Sequence, residues 1–247
     1  MSDSIIVIPT YNEKENIERM IRTIFRLSKQ FHILIVDDNS PDGTAGIVRN
    51  LKKEFLNQLF MIERQGKLGL GTAYLAGFRW ALDNNYQYIF EMDADFSHDP
   101  NELINLYEAC AVGGADLAIG SRYISGINVI NWPLKRVLMS YLASKYVRTI
   151  TGMKIMDTTA GFKCFRSIVL DQLDLERIRM KGYGFQIEMK FKTWKMGYKI
   201  VEVPIIFTDR KEGASKMSGG IFGEAFKGVI RMKIGSYFSN PGKKDRK

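Results

Sequence analysis

Tyr88-Ile-Phe-Glu-Met-Asp-Ala-Asp-Phe-Ser-His-Asp-Pro100 is the stretch on which the reading of the chain turns. Tyr88 to Met92 has the look of a buried strand, and it runs out into two carboxylates, Asp93 and Asp95, before a helix start. Asp99 can cap that helix, Pro100 suits its first position, and Glu102 stands three residues after the cap, as in a capping box. A strand carrying Asp-x-Asp at its carboxyl end can hold a hard divalent cation, which would in turn neutralise phosphate oxygens of a substrate. Taken alone the pair is a weak signal, because most acidic pairs in loops are solvated turn residues. Its neighbours must carry the argument.

On the N-terminal side the same unit recurs. Ser4 to Pro9 is a continuous apolar run of the kind buried in a parallel sheet, and Asn12-Glu13 begins a helix with Ile17, Met20, Ile21, Ile24 and Phe25 on one face. His32 to Val36 is the second strand. It ends in the turn-rich Asp37-Asp38-Asn39-Ser40-Pro41-Asp42-Gly43, ahead of a helix with Ile47, Val48, Leu51 and Phe55 on its inner side. Leu59 to Glu63 reads as strand, Gly66 to Gly71 as a loop, Thr72 to Asn84 as helix and Asp116 to Gly120 as another strand. This alternation implies an α/β fold with a mostly parallel central sheet and helices on both faces. Ligands in such folds sit outside the carboxyl ends of the strands. Thr10 to Glu13, Asp37-Asp38, Asp93 to Asp95 and Ser121-Arg122-Tyr123 all follow strands directly, so the four loops are expected to meet along one edge. Glu13 and Asp99 are as well explained by helix capping as by ligand contact. Asp38, Asp95 and Arg122 have no evident capping role, and function is the better account of them.

The rest of the chain is less regular. Trp132 to Thr151 mixes Leu134, Val137, Leu138, Tyr141 and Leu142 with Lys135, Arg136, Lys145 and Arg148, which spells an amphipathic basic helix. Strands are expected to return at Gly161 to Arg166 and Lys199 to Phe207, with a helix from Phe185 to Met196 between them. Near the C-terminus Phe222, Ala225, Phe226, Val229, Ile230 and Tyr237 form an apolar arc with Lys227 and Arg231 opposite, followed by Lys243, Lys244, Arg246 and Lys247. Packing against the sheet and lying on a membrane surface explain that arc equally well. The expected division is one domain over 1–218 and a basic helix and tail over 219–247.

Composition sets the outer limits. A chain of 247 residues, 45% of them hydrophobic, can bury the core of one enzyme-sized domain. Lys and Arg outnumber Asp and Glu by 36 to 27, and the net charge of +9 favours phosphates, nucleic acid or an anionic membrane face without choosing among them. Cys110 and Cys164 are far apart and lack metal-type spacing, so reduced, packed thiols are expected. No basic leader precedes the first strand and no apolar run approaches a membrane span. The expectation is a cytoplasmic protein that associates with membranes only peripherally.

Pro9-Thr-Tyr-Asn-Glu13, Val36-Asp-Asp-Asn-Ser-Pro-Asp42, Asp93-Ala-Asp95, Gly120-Ser-Arg-Tyr123, Asn131-Trp-Pro133, Asp157-Thr-Thr-Ala-Gly-Phe162 and Arg210-x-x-Gly-x-Ser-Lys216 together resemble the polyprenol/dolichol-phosphate mannosyltransferases. The likeness runs in order and spacing to about Lys216. It implies a GT-A glycosyltransferase fold that moves a sugar, most often mannose from GDP-mannose, onto a polyprenyl or dolichyl phosphate with Mg2+ or Mn2+. Some members carry membrane-spanning helices after this domain, and the chain resembles the compact members. By the same resemblance Pro9, Tyr11, Glu13, Val36 and Asp38 would hold the nucleoside, Asp93 and Ala94 would lie beside the donor, and Asp95 would bind the metal. Ser97 stands where some relatives have a metal-ligating Gln. Arg122, Arg136 and Ser140 would face the acceptor phosphate, and Arg210 and Lys216 would close over the diphosphate on a loop that Gly213 makes flexible.

The chemistry agrees with those roles. A phosphate monoester has its second pKa at about 6, so the acceptor is already largely a dianion at neutral pH and needs cationic positioning rather than a general base. The planar fork of Arg matches phosphate oxygens. His98 is accordingly expected to be structural. A glucosyl or N-acetylhexosaminyl transferase of the same fold is the alternative reading. A dehydrogenase is disfavoured, because Gly66-Lys-Leu-Gly-Leu-Gly71 does not follow the first strand. A nucleic-acid-binding module is disfavoured too, since acidic loops repel a phosphate backbone and no recognition element is evident.

Overall fold

The computed structural model describes residues 2–180, 182–209 and 220–238, the last segment with side chains from 226 to 237. The strands are β1 (Ser4–Thr10), β2 (His32–Asp37), β3 (Leu59–Glu63), β4 (Tyr88–Glu91), β5 (Leu117–Ser121), β6 (Val129–Ile130), β7 (Lys163–Arg166), β8 (Ile200–Pro204) and β9 (Phe207–Thr208). Between them lie the helices α1 (Ile17–Phe25), α2 (Thr44–Glu54), α3 (Leu70–Asp83), α4 (Glu102–Ala111), α5 (Leu134–Thr151), α6 (Ser167–Gln172), α7 (Tyr183–Lys195) and α8 (Gly220–Phe238). Strand 2-fold alternation decides which helix covers which face. Ile5, Val7, Leu34 and Val36 point to the layer built from α3, α6 and α7, whereas Ile6, Ile8, Ile33 and Ile35 point to α1, α2 and α4. Both faces of the central strands are therefore fully buried, as their unbroken apolar runs require.

Seven strands form the main sheet in the order β3-β2-β1-β4-β7-β5-β8, and β6 pairs with β9 in a separate two-stranded ribbon. All pairings in the main sheet are parallel except those of β7, which runs antiparallel to both β4 and β5. The parallel strands deliver their carboxyl ends to one edge. Because β7 is reversed, it brings its beginning there instead, so the 157–162 segment joins the same edge.

Three helix starts differ from the expectation. Asn12 takes a left-handed φ of 57°, and the carbonyl of Glu13 accepts from the backbone N–H of both Asn16 and Ile17, so the regular helix opens at Ile17 after a tight turn. Asp99 bonds the N–H of Asn101 at 2.9 Å and heads a turn, while the Glu102 carboxylate takes the Asn105 amide instead of reaching back. No capping box forms, and α4 begins at Glu102. Gly69, at φ 103°, turns the chain so that α3 starts at Leu70 rather than Thr72. In α3 the backbone at Gly77 rides directly over β1, where an added Cβ would lie 2.3 Å from Val7 Cγ1. Cys110 and Cys164 are buried free thiols, as expected.

Candidate active site

The edge carries a cavity of about 1270 Å³. Pro9, Tyr11 and Glu13 reach it from β1, Asp38 from β2, Asp93, Ala94, Asp95, Ser97 and His98 from β4, and Arg122 from β5. All four loops expected to converge do so. The reversed β7 adds Thr159, Ala160 and Gly161, and α5 adds Arg136 beside Trp132.

At the β1–β2 end, two adjacent aspartates have separate tasks. Asp37 is fully buried and holds the loop: it accepts from Thr10 Oγ1 at 2.7 Å, Ser40 Oγ at 2.6 Å and the Ser40 N–H at 2.9 Å. Asp38 lines the cavity, accepting from Arg64 Nε at 2.6 Å and the Leu68 N–H at 3.2 Å. The glycine-containing loop therefore belongs to this end of the site, and Lys67 lies over the Tyr11 ring at 4.6 Å. Val36 is placed differently from the other residues expected here. Its side chain is fully buried in the core, so only backbone at the strand end is near the site.

At the centre, Phe96 adopts a left-handed φ of 58°, which is uncommon for a bulky side chain and is held by Arg19 stacked 4.4 Å over its ring. The turn it makes brings the Ser97 N–H to within 3.1 Å of Asp95 Oδ1. The Tyr74 hydroxyl donates to Asp93 Oδ1 at 3.1 Å. Burial and the neighbouring carboxylates push the Tyr74 pKa well up, so it remains a proton donor. Beneath Asp93, Glu91 and Lys163 form an ion pair at 2.9 Å with no exposure, and both hold the Gln186 amide, whose Nε2 donates to Glu91 at 2.9 Å. Burial lowers the Lys163 pKa, and Glu91 opposes that shift. Gly161 faces this amide and Asp93: a Cβ there would lie 3.5 Å from Gln186 Nε2 and 4.0 Å from Asp93 Oδ2. Its absence leaves a space between a fixed amide donor and a carboxylate acceptor, a pairing suited to sugar hydroxyls.

Among the described residues no group of three or more His, Cys, Asp or Glu side chains is placed to hold an ion. Among the described residues the acidic pair at the centre of the cavity is Asp93 and Asp95. That set is too sparse for a closed structural metal site and fits a cation arriving with a diphosphate, since magnesium typically takes one or two carboxylates, substrate phosphates and several waters. His98 is buried between Phe162 and Phe207, with ring centroids 4.9 and 5.2 Å away. Burial pushes its pKa down to about 4, so it is neutral at neutral pH and a poor base there.

The expected acceptor-side cations prove to be tethered. Arg122 is 6% exposed and donates through Nε and Nη2 to Asp157, both at 2.7 Å, with a further bond to Thr159 at 2.8 Å. Burial opposes ionisation of Asp157, but the Arg122 charge and hydrogen bonds outweigh it and hold the carboxyl below its usual range. Arg136 bonds Asp209 through Nη1 at 2.8 Å and stacks over Trp132 at 4.1 Å. Ser140 does not line the cavity; its hydroxyl accepts from Tyr123 at 2.8 Å. Arg210 and Lys216 lie outside the described residues. Sequence reasoning missed Arg64, Tyr74, Gln186, Glu91 and Lys163 as parts of the site. Charged residues in the middle of apolar runs, Glu91 and Lys163 above all, were the available signal, because a lone charge is not buried without a partner.

Residues 5–174 match glycosyl transferase family 2. The chain is 46% identical over 222 residues to the polyprenol monophosphomannose synthase of Mycolicibacterium smegmatis, covering 90% of this chain and 83% of that protein. It is 45% identical over 225 residues to the undecaprenyl-phosphate mannosyltransferase of Micrococcus luteus, covering 91% of each. Among solved structures, glucosyl-3-phosphoglycerate synthase from Mycobacterium tuberculosis with phosphoglyceric acid superposes with a TM-score of 0.66 at 18% identity, over 94% of this chain and 79% of that one. The same enzyme with Mn2+, uridine diphosphate and glucosyl-3-phosphoglycerate gives a TM-score of 0.66 at 17% identity, again over 94% and 79%. At that identity the structures speak for the GT-A fold, whereas the two long alignments speak for kinship. The chain belongs to glycosyl transferase family 2, and over nearly its whole length it is most usefully compared with the polyprenyl-phosphate mannosyltransferases of that family.

Proposed function

We propose that the protein transfers a mannosyl group from GDP-mannose to the phosphate of a polyprenyl monophosphate, with inversion and with Mg2+ or Mn2+. The observation that carries this reading is that the Asp93–Asp95 pair and the cations Arg122 and Arg136 line one cavity. Two of the relatives are named for polyprenyl-phosphate mannosyl transfer, and a structural neighbour was solved with Mn2+ and a nucleoside diphosphate. In the reaction an acceptor phosphate oxygen attacks the anomeric carbon, the bond from that carbon to the diphosphate breaks, and its electron pair leaves with the nucleoside diphosphate. The bound cation, held by Asp95 with Asp93 adjacent, would supply charge neutralisation for that leaving group. Asp38 accepts from the base, Tyr74 orients Asp93, and the Gln186 amide and Asp93, both beside Gly161, grip the sugar. Arg122 and Arg136, each steadied by a carboxylate, direct their remaining guanidinium N–H groups to the acceptor phosphate. No proton has to be removed from a dianionic acceptor.

The lipid acceptor places this work at a membrane surface. Leu134, Leu138 and Leu142 stand one helical turn apart on α5 with exposures of 72, 51 and 57%, a row suited to a membrane interface. The row continues through Tyr146, which stacks on Phe226 of α8 with centroids 4.0 Å apart, to the exposed Ile230, Ile234 and Tyr237. Val229, on the opposite flank of α8, is buried, so this helix both packs on the domain and offers an apolar face. Among the described residues no helix is long and apolar enough to cross a membrane.

The test is a panel of GDP-mannose, UDP-glucose and UDP-N-acetylglucosamine offered with a polyprenyl phosphate, with and without divalent metal. Mannolipid formed only with GDP-mannose and metal is the expected result. Label from another donor would reassign the sugar, and turnover undiminished by chelator would remove the metal.

A further inference from the structure

Beyond the reacting centre the cavity extends between α7, α8 and the segment that joins α6 to α7. Its walls there are apolar, from Leu173, Met180, Phe191, Met196 and Met232, while six cations line it: Arg177, Arg179, Lys192, Lys195, Lys227 and Arg231. Among the described residues only two carboxylates accompany them, and both are already engaged. Asp174 pairs with Arg177 at 2.9 Å and Glu188 with Lys192 at 2.9 Å. Among the described residues Arg179, Lys227 and Arg231 have no ion-pair partner. Arg122 and Arg136, by contrast, are each tied to an aspartate. Among the described residues the cavity's cations without an ion-pair partner therefore lie mostly in this lobe, with Lys67 at the donor end the exception. An apolar floor beneath unmatched cations suits an anionic amphiphile.

The register of α8 says from where that ligand comes. Lys227 follows the exposed Phe226, Arg231 follows the exposed Ile230, and Gly235 follows the exposed Ile234. One residue is about 100° of helical turn, so the flank lining the lobe adjoins the apolar face offered to the bilayer. We propose that this lobe holds the phosphate of an anionic glycerophospholipid, a second lipid besides the acceptor, with the acyl chains left in the bilayer along the Phe226, Ile230 and Ile234 face. The inference rests on the membrane-surface reading above and names the lipid chemistry that such a surface must present.

The experiment compares the wild type with Arg179→Gln/Arg231→Gln, both exposed side chains whose loss leaves folding intact. A control variant, Arg26→Gln/Lys53→Gln, removes the same charge from exposed positions at the ends of α1 and α2, on the opposite face of the sheet. Each protein is co-sedimented with neutral phosphatidylcholine vesicles, with vesicles containing phosphatidylglycerol, and with vesicles containing polyprenyl phosphate as the sole anionic lipid. The expected result is wild-type binding to phosphatidylglycerol vesicles that falls ~10- to 30-fold in the lobe variant and less than about twofold in the control. Equal losses in the two variants would replace the site with diffuse electrostatics. A loss confined to polyprenyl-phosphate vesicles would make the lobe an acceptor site and overturn the second lipid. Failure of the wild type to bind any anionic vesicle would sink the membrane reading itself, whereas wild-type binding that the lobe variant retains would sink only the lobe.

Discussion

Asp157→Asn is the most informative single substitution. Asp157 is fully buried, and its two oxygens take the Arg122 N–H, Nε and Nη2 at 3.0, 2.7 and 2.7 Å. The amide keeps the shape and leaves a buried guanidinium without its counter-charge. Breaking a buried pair in this way costs about 3–5 kcal/mol. At about 2–4 °C per kcal/mol for a domain of this size, the melting temperature should fall by roughly 6–20 °C. Arg122→Met/Asp157→Leu removes both charges and should regain most of that loss, because an apolar pair of similar volume replaces the ion pair without its desolvation cost. Activity should not return with stability, since the double variant has no cation for the acceptor. The pH dependence follows from the sign of the shift. The folded pKa of Asp157 lies below its unfolded value of about 3.9, so its contribution is fully present above that value and lost as pH falls through the lower folded one. Wild-type and Asp157→Asn melting temperatures, read by differential scanning fluorimetry, should thus converge only below about pH 4. A melting temperature for Asp157→Asn within about 2 °C of wild type at neutral pH, or a double variant no more stable than the single one, would refute the reasoning.

Asp95→Asn keeps the shape of the central turn while removing the charge that would hold a cation; transfer should drop about a hundredfold or more at unchanged melting temperature, and near-normal metal-stimulated turnover would rule the assignment out. Gln186→Ala removes the amide opposite Asp93 and also strips the Glu91–Lys163 pair of its shared partner, so it should raise the KM for the sugar nucleotide and cost about 1–3 kcal/mol of stability, measured by urea unfolding. If only stability moves, Gln186 is a support rather than a sugar contact. Gly77→Ala pits helix propensity, worth up to about 1 kcal/mol in favour of Ala, against a Cβ 2.3 Å from the buried Val7. Overpacking at about 1–3 kcal/mol should win, and a stabilised Gly77→Ala protein would show that α3 can shift off β1. Arg136→Lys keeps the charge but not the fork, and initial-rate kinetics should show a raised KM for lipid phosphate with donor KM unchanged; the reverse pattern would move Arg136 to the donor side.

Much of the architecture was legible without coordinates because it is encoded locally. The apolar runs Ile5–Ile8 and Ile33–Val36 are long enough to be strands buried on both faces, and the 3.6-residue spacing of Ile17, Met20, Ile21 and Ile24 needs no distant partner to mark a helix. With βα units in series, the convergence of Tyr11, Asp38, Asp95 and Arg122 at one edge follows from connectivity alone. Other features depended on partners remote in the chain. The strand expected at Gly161 to Arg166 carried no sign of its direction; as β7 it runs reversed between β4 and β5 and brings Asp157 and Gly161 to the site from the strand's beginning. Arg122 read as a residue facing the acceptor phosphate, and the carboxylate that holds it lies 35 residues away; Lys163 meets Glu91 across neighbouring strands and Gln186 from α7. Helix periodicity showed that α8 has an apolar arc but not which part of it faces solvent. Packing against α5 and α7 decided that, burying Val229 and leaving Phe226, Ile230 and Ile234 outside. Periodicity and propensity act over a few residues and can be read from them, whereas the balance of a buried charge and the exposure of a helix face are settled only when distant segments pack together.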